Sequence, residues 1–150
     1  MEGLTLRQAV PEDSELAYST RKAAFREYVE QVRGWNEEKE RQIHEGRFLP
    51  QNFRIIDLAG VDVGYMATVV EPGCLKLNQL FILPEYQGRG IGGECMARLL
   101  EEARAIGLPV RLRALKVNVR AIAFYERLGF AIVGETGTHF VMACSAAQPG

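Results

Sequence analysis

The chain has 150 residues, 47% of them hydrophobic and 25% charged, so it is long enough to bury the core of one globular domain. Its 18 basic and 19 acidic side chains give a formal net charge of −1. This balance disfavours binding of nucleic acid and attachment to an anionic membrane surface, both of which need a basic excess. The sequence starts without the pattern of a signal peptide and has no apolar run of about 20 residues, so we expect a cytoplasmic protein.

The cysteines and histidines indicate no metal site. Cys74, Cys95 and Cys144 are far apart and odd in number, no C-x-x-C pair occurs, and His44 and His139 are the only histidines. We therefore expect free, mostly buried thiols in a reducing compartment, and no bound metal.

The first 70 residues predict one strand, two helices and a β-hairpin. Pro11 is followed by two acidic residues, which favours a helix start, and Asn36 is a typical cap of a second, polar helix. Gly34 and Gly46 are predicted to end these two helices. In chain order the elements are the strand 4–7, the helices 16–32 and 37–45, and the paired strands 53–58 and 63–70.

The second half predicts a long apolar strand that ends at Pro84, a glycine-rich loop, and helices that alternate with strands. Gly107 and Gly129 are expected to end the two helices, and Asn118 to open the second of them. In chain order the elements are the strand 74–83, the helix 91–106, the strand 110–115, the helix 118–128, and the strands 131–135 and 138–144. We expect a single α+β domain over residues 1–145 and a disordered tail over residues 146–150.

The loop that follows the long strand is the segment most informative about function. Glycines stand at positions 88, 90, 92 and 93, between a buried strand and the start of a helix. Glycines let backbone N–H groups converge on one point, and a helix start adds unpaired donors and a partial positive charge. Arg89 adds a cation to the same loop. These features predict an anion site suited to a pyrophosphate.

Three other interpretations of this loop are weaker. A phosphate loop of the nucleotide-hydrolase type needs a Lys-Ser/Thr pair after the glycines, and none follows. A dinucleotide-binding loop needs helical crossovers before it, whereas the preceding strands are predicted to form hairpins. A purely structural turn would hardly need four glycines within six residues.

The stretch Gln87-Gly88-Arg89-Gly90-Ile91-Gly92 resembles the Gln/Arg-x-x-Gly-x-Gly/Ala motif of the GNAT superfamily of acetyl-CoA-dependent N-acetyltransferases. Residues 118–130 look like the closing Asn-x-x-x-x-x-x-Tyr-x-x-x-Gly-Phe signature of the same family. The resemblance covers about residues 60–142 well, and residues 1–52 only in element order. It implies a GNAT-like acyl-CoA N-acyltransferase fold. That fold has a mixed, mostly antiparallel sheet of about seven strands, splayed between strands 4 and 5, and about four helices.

The resemblance also implies direct transfer of an acetyl group from acetyl-CoA to a primary amine of a small molecule or peptide. The backbone of Leu80, Phe81 and Ile82 would pair with the pantetheine arm, and Asn118 would contact that arm or only cap its helix. Tyr125 would be the general acid that neutralises the departing thiolate, unless it merely packs the helix onto the sheet. The amides that would hold the pyrophosphate are those of Gln87, Gly88, Arg89, Gly90, Ile91 and Gly92.

The general base is not evident. Ribosomal-protein N-terminal acetyltransferases carry a glutamate five residues before the asparagine, where this chain has Arg113. Other members have one on the fourth strand, where this chain has Asn78 and Gln79. The acceptor amine would then be deprotonated through ordered water or by another group, and the candidates are Glu27, Glu30, Glu71 and His139.

The acceptor is also left open. Negative charge on the first two helices would attract a small amine, whereas Arg111 and Arg113 could recognise a carboxylate on the substrate. The aromatic and acidic residues predicted to wall the acceptor site are Phe25, Tyr28, Trp35 and Phe48 with Glu27, Glu30, Glu37 and Glu38. A non-catalytic acyl-CoA-binding or regulatory module, a nucleotide phosphate binder and a homodimer remain open as alternatives or additions.

Overall fold

The computed structural model describes residues 1–145; the predicted tail, residues 146–150, lies outside them. The strands are β1 Leu4–Gln8, β2 Phe53–Leu58, β3 Val61–Glu71, β4 Cys74–Ile82, β5 Val110–Leu115, β6 Ala131–Glu135 and β7 His139–Cys144. The helices are α1 Ser14–Val32, α2 Glu37–Arg47, α3 Ile91–Ala105 and α4 Val119–Arg127.

The strands form a seven-stranded sheet in the order β1-β2-β3-β4-β5-β7-β6. β4 and β5 pair in parallel, while β1–β2, β2–β3, β5–β7 and β6–β7 pair antiparallel. The parallel ladder between β4 and β5 consists of three residue pairs, from Leu75↔Val110 to Leu77↔Leu112, although β4 continues to Ile82. The predicted α+β class and the mixed, mostly antiparallel sheet are confirmed.

Contacts between Cα atoms divide the chain into two compact units. The first unit consists of residues 1–67 and 79–92. Its core joins Ala17 of α1 to Phe53 and Ile55 of β2 and to Tyr65 of β3, all of them buried. Phe53, Ile55, Tyr65 and Ala67 form this core, and the rings of Phe53 and Tyr65 stack 5.4 Å apart. Ile56 and Met66, adjacent in sequence to core residues, are also fully buried, so both faces of these strands are covered.

The second unit consists of residues 68–78 and residues from 93 onward. In α3 the side chains of Cys95, Leu99 and Ala103 are fully buried at a spacing of four residues, which defines one apolar helix face. In β5, Val110, Leu112 and Ala114 are buried on one face, while Arg111 and Arg113 are exposed on the other. Leu115, at the end of the strand, is also buried.

The structure corrects two of the predicted helix bounds. Pro11 begins a short 3₁₀ turn, Pro11–Asp13, rather than an α-helix, and α1 follows at Ser14. Gly46 does not end α2, which runs to Arg47 and stops at Phe48. Unlike Gly34, Gly46 has no positive φ, so it stays within the helical backbone. The other bounds differ from the predicted ones by two residues at most.

No disulfide joins the three cysteines, all of which lie within the described residues; Cys74 and Cys95 are buried and Cys144 is half-buried. Within residues 1–145, no helix is both long and apolar enough to cross a membrane. The same residues contain no group of three or more His, Cys, Asp or Glu side chains that could hold a metal ion.

Candidate functional site

The end of β4 lies unusually close to β3. A Cβ atom added at Gly64 would stand 2.3 Å from the carbonyl oxygen of Phe81 and 3.0 Å from the Cα of Ile82. The Leu83 N–H donates to the Val63 carbonyl at 2.9 Å, which continues this pairing just past the end of β4. Glycine is therefore required at position 64 because the two backbones meet there. Residues 78–82 of β4 take no part in the ladder with β5.

The glycine-rich loop follows directly after a 3₁₀ turn, Pro84–Tyr86. Gly88 and Gly90 have φ values of 77° and 84°, which only glycine adopts without strain. Among the described residues, nothing lies within 4 Å of a Cβ placed at Gly88 or Gly93. The loop opens α3 at Ile91, so the unpaired N–H groups of the first helical turn adjoin it. The loop thus combines open space with backbone donors.

Two side chains hold this loop in shape. The Gln87 Nε2 donates to the Ile82 carbonyl at 2.9 Å, and the Arg89 guanidinium donates to the Glu85 carbonyl at 3.0 Å. The same guanidinium lies 5.0 Å from the centre of the Tyr86 ring. None of the described carboxylates forms an ion pair with Arg89, so its charge remains available to an anion. Backbone donors, open space and an uncompensated cation fit a pyrophosphate group.

Tyr125 lies in the second unit, on α4, with its ring packed 5.6 Å from that of Phe130. The residue is 9% exposed, and burial raises the pKa of its hydroxyl to about 12. The side chain is therefore a largely buried phenol that stays protonated and can donate a hydrogen bond.

Asn118 caps α4. Its Oδ1 accepts the Ala121 N–H at 3.1 Å, the bond expected of a cap. This bond occupies the amide oxygen and leaves the amide nitrogen able to donate elsewhere.

The two strand positions where the resemblance leads us to expect a glutamate hold an amide and a cation in this chain. In the first unit Gln79 accepts a hydrogen bond of 2.7 Å from the Tyr65 hydroxyl. Burial raises the pKa of Tyr65, so this phenol stays protonated and remains a donor. In the second unit Arg113 is exposed on β5. Neither residue can act as a general base. The Tyr65–Gln79 bond was not predicted, because nothing in the sequence relates residues 14 positions apart.

The acidic residues of the first two helices are largely engaged by cations. Glu37 accepts from Lys22, from the Trp35 indole and from the Tyr18 hydroxyl, and these bonds, chiefly the one from Lys22, lower its pKa to about 2. Glu30 pairs with Arg26 at 2.6 Å. Glu37 therefore remains ionised at neutral pH.

A cavity of about 730 Å³ adjoins these helices in the first unit. It is lined by both signs of charge: Lys22, Arg26, Glu27, Glu30 and Arg41, with Pro84 at one side. Of the predicted acidic wall, Glu27 and Glu30 line this cavity.

The predicted aromatic wall is packed within the first unit. Phe25 lies 4.9 Å from Phe81, and Phe48 lies 4.7 Å from Phe53, between ring centres. Trp35 has the Arg21 guanidinium 5.5 Å from its ring centre. These rings therefore serve the packing of the unit.

A buried ion cluster on the first two helices escaped sequence reasoning. Glu40, 1% exposed, accepts from Arg21 at 3.1 Å and from Arg33 at 2.9 and 3.0 Å. Arg21 is itself 5% exposed. The periodicity of apolar and polar residues in a helix predicts that charged residues face solvent. A charge pair buried between α1 and α2 is therefore not evident from the sequence.

Two other base candidates lie in the second unit. The Nδ1 of His139 lies 2.8 Å from the Thr138 hydroxyl. A Glu71 carboxylate oxygen lies 4.0 Å from the Cys74 sulfur. Neither contact marks its residue as a base.

The seven-stranded sheet, with β4 and β5 parallel, and the glycine loop that opens α3 agree with the fold that the sequence resemblance implies. The sequence profile of the Acetyltransferase (GNAT) family matches residues 16–130. The chain therefore belongs to the GNAT family.

Individual relatives agree with this assignment. The chain is 31% identical over 134 residues to a mycothiol acetyltransferase of Streptomyces bingchenggensis, a match covering 86% of this chain and 43% of that protein. It therefore spans less than half the length of this relative. Its fold is similar to that of the PaiA N-acetyltransferase from Thermoplasma acidophilum, solved with coenzyme A. The TM-score is 0.79 at 16% identity, over 95% of this chain and 98% of the other. The ribosomal-protein-S18-alanine N-acetyltransferase from Escherichia coli gives a TM-score of 0.71 at 22% identity, over 98% and 96%.

Proposed function

We propose that this chain transfers an acetyl group from acetyl-CoA directly to a primary amine of a small molecule or peptide. The observation that carries the proposal is the loop with left-handed Gly88 and Gly90, which opens α3 beside an uncompensated Arg89. Membership of the GNAT family and the names of its relatives support it. The free thiols favour a reducing cytoplasm as the location.

Acetyl-CoA is proposed to bind through the backbone. The amides of residues 87–92 hold the pyrophosphate, and Arg89 adds a charge-assisted contact. The backbone of Leu80 and Phe81 pairs with the pantetheine arm as an added strand would, since residues 78–82 do not join the β4–β5 ladder. Ile82 contributes through its N–H, because its carbonyl already accepts from Gln87. The amide nitrogen of Asn118 is a further donor to the arm.

A backbone N–H of β4 is proposed to face the thioester carbonyl oxygen and to stabilise the negative charge that develops on it. The amine nitrogen attacks the carbonyl carbon and the carbon–sulfur bond breaks. The proton lost by the nitrogen passes to ordered water or to a carboxylate, and CoA leaves as a thiolate that takes up a proton from solvent.

Tyr125 is proposed to assist the leaving thiolate. A cysteine-like thiol has a pKa of about 8.5, whereas that of Tyr125 is raised to about 12. Full proton transfer from the phenol would therefore be uphill, and Tyr125 acts chiefly by donating a hydrogen bond to the thiolate as the bond breaks. Gln79 and Arg113 supply no base, so the attacking amine loses its proton to ordered water or to an unpaired carboxylate such as Glu27.

The test is release of free thiol from acetyl-CoA over a panel of amines, with wild type and Tyr125→Phe. We expect turnover of at least one amine by wild type, and a loss in kcat of about 10²- to 10³-fold in the variant because the hydrogen-bond donor to the thiolate is gone. Binding of CoA, measured by calorimetry, should be equal in the two proteins. If CoA binds and no amine turns over, the chain is a non-catalytic acyl-CoA-binding module.

A further inference from the structure

The side chain of Gln79 is held in one orientation by a buried phenol. Tyr65 is fully buried, and burial raises the pKa of its hydroxyl far above the usual range, so the oxygen keeps its proton. This hydroxyl donates to the Gln79 Oε1 at 2.7 Å. A reversed carboxamide would turn an N–H group towards the hydroxyl, and the phenol proton would have no acceptor among residues 1–145. The carboxamide oxygen of Gln79 therefore stays on Tyr65.

The amide nitrogen of Gln79 is left as a donor. No oxygen within residues 1–145 accepts a hydrogen bond from the Gln79 Nε2, and the residue is half-buried. A carboxamide nitrogen carries two N–H groups, is uncharged and takes up no proton at neutral pH. Gln79 thus offers a fixed, neutral donor to an oxygen of a ligand, and it gives no attraction to an ammonium group.

This donor lies beside the part of β4 that is proposed to bind acetyl-CoA. Gln79 directly precedes Leu80, so the Cα atoms of the two residues are about 3.8 Å apart. It shares a face of the strand with Phe81, two residues further on. The ring of Phe81 lies 4.9 Å from that of Phe25 on α1 and 5.8 Å from that of Tyr65, between ring centres. All of these residues belong to the first unit, so Gln79 is on the α1 side of β4 within one compact body.

A neutral side chain at this position favours an amine that loses its proton easily. The α-amine of an aminoacyl group has a pKa of about 7.7–8.0, whereas a lysine-type alkyl amine has a pKa of about 10.4. At pH 7 about a tenth of the α-amine is unprotonated, against roughly one part in 2,500 of the alkyl amine. An α-amine also has a carbonyl group on the neighbouring carbon, and the oxygen of that group can accept a hydrogen bond. The charge and the donor of Gln79 therefore suit the same acceptor.

We propose that Gln79 selects acceptors in which a carbonyl group stands next to the amine, as in amino acid amides and in peptides with a free α-amine. The Gln79 Nε2 donates to that carbonyl oxygen while the α-amine attacks the thioester. This inference rests on the proposed acetyl transfer and adds the substrate class to it. Tyr65 is a positioning residue, which acts through the orientation of the amide.

Gln79 takes no part in the bond changes. The amine nitrogen gains the acetyl group as the carbon–sulfur bond breaks. Its proton passes to ordered water or to a carboxylate, and the CoA thiolate takes up a proton from solvent. Gln79 therefore acts on affinity and on the orientation of the acceptor.

The experiment uses the full chain, acetyl-CoA and two acceptors of the same shape. Glycinamide is compared with isobutylamine, in which an isopropyl group replaces the carboxamide. Values of kcat/KM are calculated per unprotonated amine, which removes the difference in amine pKa. A hydrogen bond between neutral groups changes affinity by up to about tenfold, so we expect glycinamide to be preferred by roughly that factor. Glycylglycinamide has the same α-amine, and its kcat/KM distinguishes a small amide from a peptide as the source of the carbonyl.

The variants are Gln79→Met, Gln79→Glu and Tyr65→Phe, with Gln42→Met as the matched control. Gln42 is an exposed glutamine on α2. Gln79→Met keeps the length of the side chain and removes the donor, so the preference for glycinamide should fall towards one, mainly through KM. Gln79→Glu keeps the oxygen that accepts from Tyr65 but replaces the donor with a negative oxygen, so the preference should invert. Tyr65→Phe should reduce the preference in part, because the amide is then free to turn, and Gln42→Met should keep the wild-type value.

Calorimetry gives a readout that needs no turnover. Titration of glycinamide into the CoA-bound protein should show binding about tenfold weaker in Gln79→Met than in wild type, and unchanged binding in Gln42→Met. Binding of CoA by each variant shows that the variant has folded. The comparison of glycinamide with isobutylamine in wild type tests the proposal even if every variant at position 79 unfolds.

The possible failures are distinguishable. Equal kcat/KM values for the two amines in wild type, per unprotonated amine, overturn the selection by Gln79 and leave the transfer intact. A preference that survives in Gln79→Met, or that falls equally in Gln42→Met, overturns it as well. Binding of glycinamide that depends on Gln79, without turnover of any amine, supports the selection and overturns the transfer.

Discussion

The close approach of β3 and β4 can be tested with Gly64→Ala. The added Cβ would lie 2.3 Å from the Phe81 carbonyl oxygen, whereas a carbon–oxygen contact is ordinarily at least about 3.3 Å. The obstacle is backbone, so the end of β4 must move by about 1 Å. Overpacking of this kind lowers the free energy of unfolding by roughly 1–3 kcal/mol, which is a fall in Tm of about 3 to 9 °C in a chain of this size.

The displaced residues are those proposed to hold the pantetheine arm, so the variant should lose function beyond its loss of stability. Displacement of a reacting group by about 1 Å can reduce activity roughly 10²-fold. The assays are thermal unfolding, calorimetric binding of CoA, and thiol release at a temperature well below the Tm of the variant.

Gly46→Ala is the matched control. Gly46 lies inside α2 with nothing among the described residues within 4 Å of an added Cβ. Alanine in a helix interior is favoured over glycine by roughly 0.5–1 kcal/mol, so this variant should be slightly more stable than wild type. If Gly64→Ala has the same Tm and the same affinity for CoA as Gly46→Ala, the inference of a tight contact between β3 and β4 is wrong.

Two further predictions concern the helices of the first unit. Glu40→Ala leaves the buried guanidinium of Arg21 without its carboxylate, and should lower the free energy of unfolding by about 3–5 kcal/mol in urea denaturation. The control Glu15→Ala breaks an exposed pair with Arg41 and should change this free energy little. Equal losses in the two variants would refute a special role of burial. Burial lowers the pKa of His44, so below about pH 6.5 the unfolded chain binds a proton that the folded chain does not. The free energy of unfolding should therefore fall as the pH decreases through that window and recover as it rises, and His44→Gln should remove this part of the slope; an unchanged slope in the variant would contradict the assignment.

Local signals predicted most of the elements. β2, β5 and β6 have the predicted bounds, because each is a short apolar run between turn residues. Asn36 and Asn118 both cap helices, with their side-chain oxygens on the N–H groups three residues ahead. Gly34 and Gly129 have positive φ where helices end, as predicted. These features depend on a few neighbouring residues, which the sequence supplies directly.

Features that depend on distant residues were not predictable. Gly46 is a glycine like Gly34, but its φ is not positive. The helix α2 instead ends at Phe48, whose ring packs on that of Phe53. The Arg21–Glu40 pair joins residues 19 positions apart, and only the packing of α1 on α2 brings them together. The pairing of Lys76 with Arg111 follows from the register of the parallel ladder, which no local sequence pattern predicts.

The glycine motif and Tyr125 were chosen by resemblance, and their roles remain predictions. The structure adds that Gly88 and Gly90 have left-handed backbones and that the Tyr125 ring is buried. The sequence itself, with Gln79 and Arg113, leaves the strands without a carboxylate at the two positions where the resemblance leads us to expect one. A base in solvent or on a helix is thereby favoured over one on the sheet.

The most direct test of the account is calorimetric titration of the wild-type chain with acetyl-CoA, in parallel with ATP and NAD. The account predicts saturable binding of one acetyl-CoA per chain, with a rise in Tm that grows with ligand concentration, and much weaker effects of the two nucleotides. Stabilisation by ATP or NAD with no binding of acetyl-CoA would contradict it, and would make residues 87–92 a nucleotide phosphate site.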